Sequence, residues 1–366
     1  MPERSPEELR DALAALRGEV DLLNRELLDV FIRRLGRVRR IRDVKTALGL
    51  PLYDPEREAQ ELRGLLLANP DPRSAQLVER VFQEIFRASL EGMREGEPGV
   101  GTRLPREPAT VDVGGVAIGG GAPPVVIAGP CAVEGPEALA ASARGLAARG
   151  IRILRGGGFK PRTSPYSFQG LGLDGVRILH GVARELGMAA VSEITAAEQL
   201  PVFEELVDLV QVGSRNMYNY ELLKALGRGR LPVLLKRHFG ARIEEWLLAA
   251  EYLVSAGNPR VILCERGIRT FEPETRNTLD LSAVAVVKER CGLPVVVDVS
   301  HAAGRRDILP RLARAALAAG ADGLMVEVHH WPAGALSDGG QQLDLPGFDA
   351  LLAGLRPYLE TPREED

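Results

Sequence analysis

Short β-branched segments alternate with amphipathic helical segments through the last two thirds of the chain, and this alternation constrains the fold more than any other feature. Apolar runs that are each followed by a helix-like stretch are typical of parallel strands buried on both faces. Eight such units in about 250 residues predict a closed (β/α)8 barrel, with an open doubly wound sheet as the alternative. The runs lie at 124–128, 151–154, 189–193, 209–212, 233–236, 261–264, 294–297 and 323–327.

A change in composition divides the chain. Residues 94–110 contain three prolines, three glycines and almost no apolar side chains, as an exposed connector does, and before them apolar residues recur at helical spacing. Residues 111–119 read as a β-hairpin on Gly114 and Gly115 that closes the bottom of the barrel. We predict an all-α domain over 1–94, a linker over 95–110, the barrel over 111–358 and a C-terminal tail over 359–366.

Cationic side chains follow several of the predicted strands, at the barrel end where active sites form. They are Arg155, Lys160, Arg162, Arg215, Lys236, Arg237 and Arg266. Like charges gathered this closely repel each other unless an anion binds among them. We therefore expect substrates with at least two anionic groups, a phosphate and a carboxylate, and the alternative is a ring of salt bridges around the rim.

Four potential metal ligands follow three different strands and are expected at the same mouth: Cys131, His301, Glu327 and Asp338. One thiol, one imidazole and two carboxylates suit a borderline divalent ion such as manganese, iron, cobalt or zinc. Such an ion keeps positions open for substrate or water. The alternative for a lone strand-end cysteine is a small, packed apolar side chain.

Long motifs occur in seven of the eight predicted barrel units. They are GPCAVE (129–134), RGGGFKPRTSPYSFQGLG (155–172), GSRNM (213–217), LLKR (234–237), LCERGIRTFEPETRNTLD (263–280), VDVSHAAGRRD (297–307) and EVHHWPAGALSDG (327–339). Together they resemble 3-deoxy-D-arabino-heptulosonate 7-phosphate (DAHP) synthases of the type I beta group, over essentially all of 111–358. The resemblance implies a metal-dependent barrel that condenses phosphoenolpyruvate with erythrose 4-phosphate, the first step of the shikimate pathway.

The resemblance also implies residue roles. Cys131, His301, Glu327 and Asp338 match the metal ligands, with manganese expected. Arg155, Lys160, Ser214, Arg215, Lys236 and Arg266 match the phosphoenolpyruvate contacts, and Arg162, Thr163 and Ser164 match the erythrose 4-phosphate contacts. Lys160 and His301 are the expected proton-transfer groups, and Asp298 and Glu193 are candidates for orienting water.

The sequence departs from the family at two places. HHW (329–331) stands where His-Pro-Asp is common, and Ser214 stands where alanine is usual, so the loop carrying Asp338 is expected to differ in shape. His180, His238 and His330 are expected at the surface or beside the ligands. The nearest alternative is 3-deoxy-octulosonate 8-phosphate synthase, which acts on arabinose 5-phosphate, and a more distant one is a metal-free isomerase that binds phosphate.

The apolar residues from about Ser5 to Leu48 recur at steps of three and four, which predicts one helix. These residues form a single stripe along one face of the helix, here called the seam. A helix of roughly 65 Å is more than twice the width of a domain of about 90 residues. We therefore expect a second copy to cover the seam, giving a dimer of helical domains and a tetramer of the whole protein. Arg17, Arg34 and Lys45 lie on the seam, which favours a small buried anion over a solvated basic face, nucleic acid binding or arginines packed along a coiled coil.

The segments LRGEVDLLNRELLDVFIRRLGRVRRIRDVK, YDPEREAQEL and LVERVFQEIFRASLEGM resemble all-α chorismate mutase domains, over residues 8–93. The resemblance assigns binding of chorismate or prephenate to Arg17, Arg34, Lys45, Asp54, Arg57, Glu58 and Ser89. Met93 stands where the family has a glutamine that donates a hydrogen bond to the breaking ether, and methionine cannot donate one. The alternative to a mutase is therefore a module that binds chorismate or prephenate and inhibits the barrel as feedback.

The overall composition excludes several other classes. A net charge of -4 gives no general attraction to nucleic acid or anionic lipid. No apolar run approaches the roughly 18 residues of a membrane span, and the first ten residues or so contain no signal-peptide core. We expect a cytoplasmic protein in which Cys264 and Cys291 are structural.

Overall fold

The computed structural model describes residues 5–48, 50, 54–93, 103–162 and 164–359. The chain divides into two compact units, Met1–Gly99 and Val100–Asp366. This boundary falls inside the predicted linker, whose first half, 95–102, lies outside the described residues together with Thr163, the side chain of Met93 and the tail from 360. The exact domain limits stay a prediction.

In its described residues, the first unit contains three α-helices. Helix α1 spans Pro6–Ala47, α2 spans Pro55–Ala68 and α3 spans Ala75–Met93, with a 3-10 turn at Pro72–Ser74. A capping box between Ser5 and Glu8 begins α1, whose 42 residues extend for about 63 Å. Since α3 has only 19 residues, about 28 Å, it can cover less than half of α1. The prediction of one long helix is confirmed.

The second unit is a closed barrel of eight parallel strands. The strands are β3 (Val125–Gly129), β4 (Ile153–Arg155), β5 (Ala189–Ile194), β6 (Leu209–Val212), β7 (Val233–Lys236), β8 (Val261–Glu265), β9 (Val295–Asp298) and β10 (Gly323–Glu327). They pair in chain order, and β10 pairs with both β9 and β3, which closes the barrel. Each predicted run lies on one of these strands to within two residues at either end, so the barrel is confirmed and the open sheet is wrong.

Helices surround the barrel. They are α4 (Pro136–Ala147), α5 (Leu173–Glu185), α6 (Leu200–Leu206), α7 (Tyr220–Arg228), α8 (Ile243–Ser255), α9 (Leu281–Arg290), α10 (Val299–Ala303), α11 (Leu309–Ala318) and α12 (Leu345–Leu359), with 3-10 turns at Ala197–Gln199, Ser214–Asn216 and Pro332–Gly334. Side chains that alternate along each strand form two cores. In β9, Val296 belongs to the core inside the barrel, whereas Val295 and Val297 belong to the core beneath the helices.

The predicted hairpin closes the amino end of the barrel. Strands β1 (Thr110–Val113) and β2 (Val116–Gly119) are antiparallel, and Gly114 and Gly115 adopt the positive φ that their turn requires. The apolar side chains of the hairpin join the inner core, and Arg152, just before β4, donates to Gly115 O at 3.0 Å. The hairpin prediction is confirmed, and the hairpin leaves the carboxyl end of the barrel open.

Candidate active site

A cavity of about 470 Å³ opens at the carboxyl ends of the strands. Its described lining contains eight cationic side chains and two carboxylates, those of Glu193 and Asp338. The cations are Arg155, Lys160, Arg162, Arg215, Lys236, Arg266, Arg269 and Arg276. This excess of positive charge, in a cleft with buried walls, suits small and highly anionic ligands.

The four potential metal ligands meet beside this cavity. One ligand atom from each of Cys131, His301, Glu327 and Asp338 lies within 4.8 Å of all the others. Glu327 ends β10 and His301 lies in α10 directly after β9, so the strand register places both at the mouth. Asp338 has a φ of 50°, the only positive φ of a described non-glycine residue, and this brings its Oδ2 to 3.1 Å from the thiol of Cys131.

Protonation states of the cluster suit a divalent cation. Burial alone would raise the pKa of Glu327, but His301, Arg155 and Lys160 outweigh it and hold that pKa at about 2. Burial lowers the pKa of His301 to about 4, which leaves a neutral imidazole at pH 7. Burial, aided by Glu327, raises the pKa of the Cys131 thiol. Two carboxylates, a neutral imidazole and a thiol that an ion would have to deprotonate fit a borderline divalent metal.

Two glutamines support the ligands, and sequence reasoning missed both. Gln341 Nε2 donates to Glu327 Oε2 at 2.5 Å. Gln342 Oε1 accepts from the backbone N–H of Cys131 at 3.0 Å, and its amide donates to Ser337 O at 2.8 Å. These bonds attach the loop that carries Asp338 to the ligands from β3 and β10. The DGGQQ segment offered no signal for this, because glutamines are common on exposed loops.

The residues predicted to bind phosphoenolpyruvate line the cavity, and three of them form its buried floor. Arg155, Lys236 and Arg266 are 4%, 4% and 7% exposed. Nε of Arg155 and NH1 of Arg266 are buried without a hydrogen-bond partner, although most buried polar atoms have one. Ser214 and Arg215 line the cavity nearby. Both arginines line the cavity, and guanidinium N–H groups that are buried there without a partner point to an anionic ligand, although NH1 of Arg155 already pairs with Glu327 at 2.8 Å.

The segment predicted to bind the sugar phosphate lies at the same mouth. Arg162 and Ser164 line the cavity, and Arg162 pairs with Asp338 at 3.3 Å. Thr163 lies outside the described residues. Glu193 Oε2 accepts from Gln211 Nε2 at 3.0 Å, and both side chains line the cavity, although Gln211 was missed because it lies within β6 rather than after it.

Arg155 and Lys236 line the cavity and also pair with Glu327 and Asp298, at 2.8 and 2.5 Å, and the alternative of rim salt bridges is fully correct for Arg237. It pairs with Glu265 at 3.0 Å and with Asp280 at 2.8 Å, away from the cavity. Successive side chains of a strand point to opposite faces, so Lys236 faces the cavity and Arg237 does not. The other four histidines lie outside the ligand cluster: His180 contacts Leu206 O, His238 lies against Tyr218 and Phe239, His329 Nδ1 accepts from the backbone N–H of Trp331, and His330 contacts Ser142.

In the helical unit, the structure brings together only part of the predicted chorismate site. Arg34 donates to the buried Ser89, and its guanidinium lies over the Phe86 ring at 5.4 Å. Arg17 and Arg34 lie 17 positions apart on α1, about 25 Å along the helix axis, so one anion cannot contact both within one chain. Lys45 is partly buried, Asp54 caps α2 through the N–H of Arg57 at 3.0 Å, and Glu58 lies in the first turn of α2.

A closed parallel barrel with a strongly cationic cavity at its carboxyl end is typical of an enzyme of the (β/α)8 class. Comparison with known families is specific: a model of the DAHP synthetase I family matches residues 102–360, and a model of chorismate mutase type II matches 16–93. The chain belongs to the DAHP synthetase I family and carries an N-terminal chorismate mutase type II domain.

Individual relatives agree with this assignment. A phospho-2-dehydro-3-deoxyheptonate aldolase of Thermotoga maritima is 50% identical over 250 residues, which cover 68% of this chain and 74% of the relative. A crystal structure of such an enzyme from Thermotoga maritima matches with a TM-score of 0.66 at 48% identity, over 72% of this chain and 75% of that chain. A 2-dehydro-3-deoxyphosphooctonate aldolase of Geobacter sulfurreducens is 34% identical and covers 67% of this chain and 96% of the relative. In the described part of the chain, no helix is long and apolar enough to cross a membrane.

Proposed function

We propose that the barrel condenses phosphoenolpyruvate with erythrose 4-phosphate in a reaction that requires a divalent metal, with manganese as the expected ion. The observation that carries this proposal is the convergence of Cys131, His301, Glu327 and Asp338 within 4.8 Å at the edge of a strongly cationic cavity. These four residues would hold the ion, which when bound polarises a carbonyl oxygen and stabilises negative charge that develops on it.

The buried cations hold phosphoenolpyruvate. Arg155 and Arg266 offer unpaired N–H groups, and Lys236 lines the same cavity, so the floor can bind a phosphate and a carboxylate at once. Ser214, Arg215 and Lys160 complete this group. Arg162, Thr163 and Ser164 hold the phosphate of the sugar at the mouth, which aligns the aldehyde carbon with the enol carbon.

The reaction forms one carbon–carbon bond and releases one phosphate. The enol carbon of phosphoenolpyruvate attacks the aldehyde carbon, water adds to the cationic centre left behind, and the C–O bond to phosphate then breaks. Burial lowers the pKa of Lys160, but Cys131, Glu327 and Asp338 outweigh it and raise that pKa, so the ammonium can donate a proton to the new alkoxide.

Glu193 is the better candidate for orienting the water. It lies in the cavity, and its described hydrogen bond comes from Gln211. Asp298 is fully buried, and its two oxygens already accept hydrogen bonds from Lys236 and His301. Both oxygens of Asp298 therefore support Lys236 and His301, and this makes Asp298 the weaker candidate for orienting water.

Phosphate release tests the proposal directly. The full-length protein is assayed with phosphoenolpyruvate and either erythrose 4-phosphate or arabinose 5-phosphate, after EDTA treatment and again after addition of Mn²⁺. We expect release with the four-carbon sugar only, lost on chelation and restored by the ion. Activity that is indifferent to chelation would contradict the metal proposal. Preference for arabinose 5-phosphate would favour the octulosonate reaction. The 34% identity to the 2-dehydro-3-deoxyphosphooctonate aldolase of Geobacter sulfurreducens is the reason to test it.

For the helical unit we propose a homodimer with chorismate mutase activity. Leu13, Val20 and Leu27 of the predicted seam are 47%, 53% and 67% exposed within one chain, and a second copy would cover them. A second α1 would also supply an Arg17 to the Arg34 and Ser89 pair, which the Arg17 of the same helix cannot reach. The tetrameric state of the whole protein and its cytoplasmic location stay predictions.

A feedback role is the second candidate for the helical unit. Mutase turnover by the full chain, and inhibition of barrel activity by prephenate, separate the two functions. Turnover without inhibition supports the enzyme alone. Inhibition without turnover supports the sensor alone.

A further inference from the structure

The cavity wall formed by the loops after β7 and β8 carries an arginine that the proposed substrate contacts do not use. The backbone N–H of Arg269 donates to Phe239 O at 2.7 Å. Its guanidinium carbon lies 4.6 Å from the centre of the Phe239 ring. Cation–π attraction holds an arginine in one orientation against an aromatic face. Arg269 therefore presents a positive charge, oriented by the Phe239 ring, at the exposed edge of the cavity.

This arginine is one of three whose exposure decreases from the solvent edge of the cavity to its buried floor. Arg269 and Arg215 are exposed, whereas Arg266 is 7% exposed and its NH1 has no hydrogen-bond partner. All three line the same cavity. The His238 imidazole lies beside them: burial lowers its pKa, and the charges of all three arginines lower it further.

The protein gives this group little direct neutralisation: Arg266 is influenced by the charges of the buried Asp298 and Glu265 without forming an ion pair with either. In the described part of the chain, Arg215, Arg266 and Arg269 form no ion pair, and Asp338, one of the two carboxylates in the lining, is paired with Arg162 at 3.3 Å. The other, Glu193, accepts from Gln211. Three guanidinium groups without an ion-pair partner attract a dianion more strongly than a monoanion.

We propose that Arg269, oriented by Phe239, is the outer phosphate-binding residue of the cavity, on the path by which phosphate groups reach and leave the buried Arg266. It binds the phosphate of incoming phosphoenolpyruvate and the inorganic phosphate that is released. The identity of the phosphate ester rests on the proposed function, whereas binding of inorganic phosphate does not. Phe239 is a positioning residue, since it acts only through the guanidinium group.

The first test measures binding of inorganic phosphate to the full-length protein by calorimetry, after EDTA treatment so that no metal contributes. Arg269→Ala should weaken binding about tenfold, because one charge-assisted hydrogen bond is lost. Arg230→Ala is the matched control, an exposed arginine just before β7 at the opposite end of the barrel, and it should bind as the unchanged protein does.

The second test is steady-state kinetics with the metal-loaded enzyme. Arg269→Ala should raise the KM for phosphoenolpyruvate about tenfold with little change in kcat. Phe239→Leu should raise the same KM by a smaller factor, because it removes the π face and keeps the charge. A merely structural role of Phe239 would lower kcat or thermal stability instead.

Two results would overturn the inference: phosphate binding by Arg269→Ala equal to that of Arg230→Ala, or a rise in KM confined to erythrose 4-phosphate. Failure of the proposed function would look different. In that case the unchanged protein releases no phosphate with either sugar, while calorimetry still reports whether Arg269 binds inorganic phosphate.

Discussion

The carboxylate of Asp298 accepts a hydrogen bond from Nδ1 of His301 at 2.8 Å and another from the backbone N–H of the same residue at 2.9 Å. Its Oδ2 also accepts from Lys236 Nζ at 2.5 Å. Burial alone would raise the pKa of Asp298, but His301 and Lys236 outweigh it and hold that pKa well below its usual range. One ionised, buried carboxylate thus fixes a proposed metal ligand and a buried cation of the cavity floor together.

Asp298→Asn should therefore weaken two functions at once. The neutral amide orients the imidazole less firmly, and we expect metal affinity to fall by about 10- to 100-fold, as for other groups that support ligands. The KM for phosphoenolpyruvate should rise because Lys236 loses its anchor. Mn²⁺ titration followed by electron paramagnetic resonance measures the affinity, with Asp349→Asn, an exposed carboxylate paired with Arg149, as control. Equal Mn²⁺ affinity in both variants would contradict the positioning role.

Cys131→Ala should abolish metal retention and phosphate release, because it removes the soft ligand of the cluster. Cys291→Ala is the matched control, since Cys291 is also buried but belongs to the core beneath the helices. The control should keep its metal and lose about 1 kcal/mol of stability from the small cavity. Metal content after dialysis is the readout, and a Cys131→Ala protein that retains stoichiometric metal would remove the thiol from the ligand set.

The seam of α1 predicts the oligomeric state. Leu13→Glu combined with Leu27→Glu places charges where a second copy is expected, and a buried unpaired charge costs several kcal/mol. Sedimentation velocity should then show a species of half the mass. Leu67→Glu, on α2 and already 88% exposed, should leave the mass unchanged. The dimer through α1 fails as a proposal if both variants sediment alike.

Substitution of two adjacent arginines of α1 tests the ligand site of the helical unit. Arg34 is partly buried, over Phe86 and bonded to Ser89, whereas Arg33 is exposed and pairs with Asp29 at 2.9 Å. Arg34→Ala should weaken chorismate or prephenate binding by tenfold or more, as expected for loss of a charge-assisted hydrogen bond. Arg33→Ala should have little effect, because exposed ion pairs contribute about 0 to 1 kcal/mol. Calorimetry with each ligand distinguishes them, and equal losses in both variants would indicate general electrostatic attraction.

The Met93→Gln variant tests whether the methionine at this position, where the family has a glutamine, limits the rate of the mutase reaction. A glutamine can donate a hydrogen bond to the breaking ether, whereas methionine cannot. One such donor contributes about 2.7 to 4 kcal/mol in other enzymes, so we expect mutase kcat to rise by at least tenfold. Met93→Leu should leave it unchanged. If Met93→Gln turns over chorismate no faster than Met93→Leu, the alignment of Met93 with the glutamine is wrong.

Much of the barrel was predictable because its signals are local. Apolar runs bounded by helical stretches mark each strand, and the carboxyl ends of parallel strands necessarily meet at one mouth. That geometry alone brings Cys131, His301 and Glu327 close together. The hairpin was predictable for a reason that is also local. The paired Gly114 and Gly115 permit the positive φ that a tight turn requires.

Contacts between residues distant in the chain were not predictable in this way. Adjacent cations such as Lys236 and Arg237 look alike in the sequence, and only the register of β7 decides that one faces the cavity and the other pairs with Glu265. Gln341 lies on a loop whose return path to Glu327 depends on packing.

The sequence by itself determined the number of β/α units, the chemical types of the ligands and cations, and the length of α1. The tertiary structure decided which cations are buried without partners, which carboxylate supports His301, and that Arg17 lies too far from Arg34 to share a ligand within one chain. The physical reason is that spacing along the chain specifies local conformation, whereas burial, side-chain direction and hydrogen-bond partners depend on how separate elements pack.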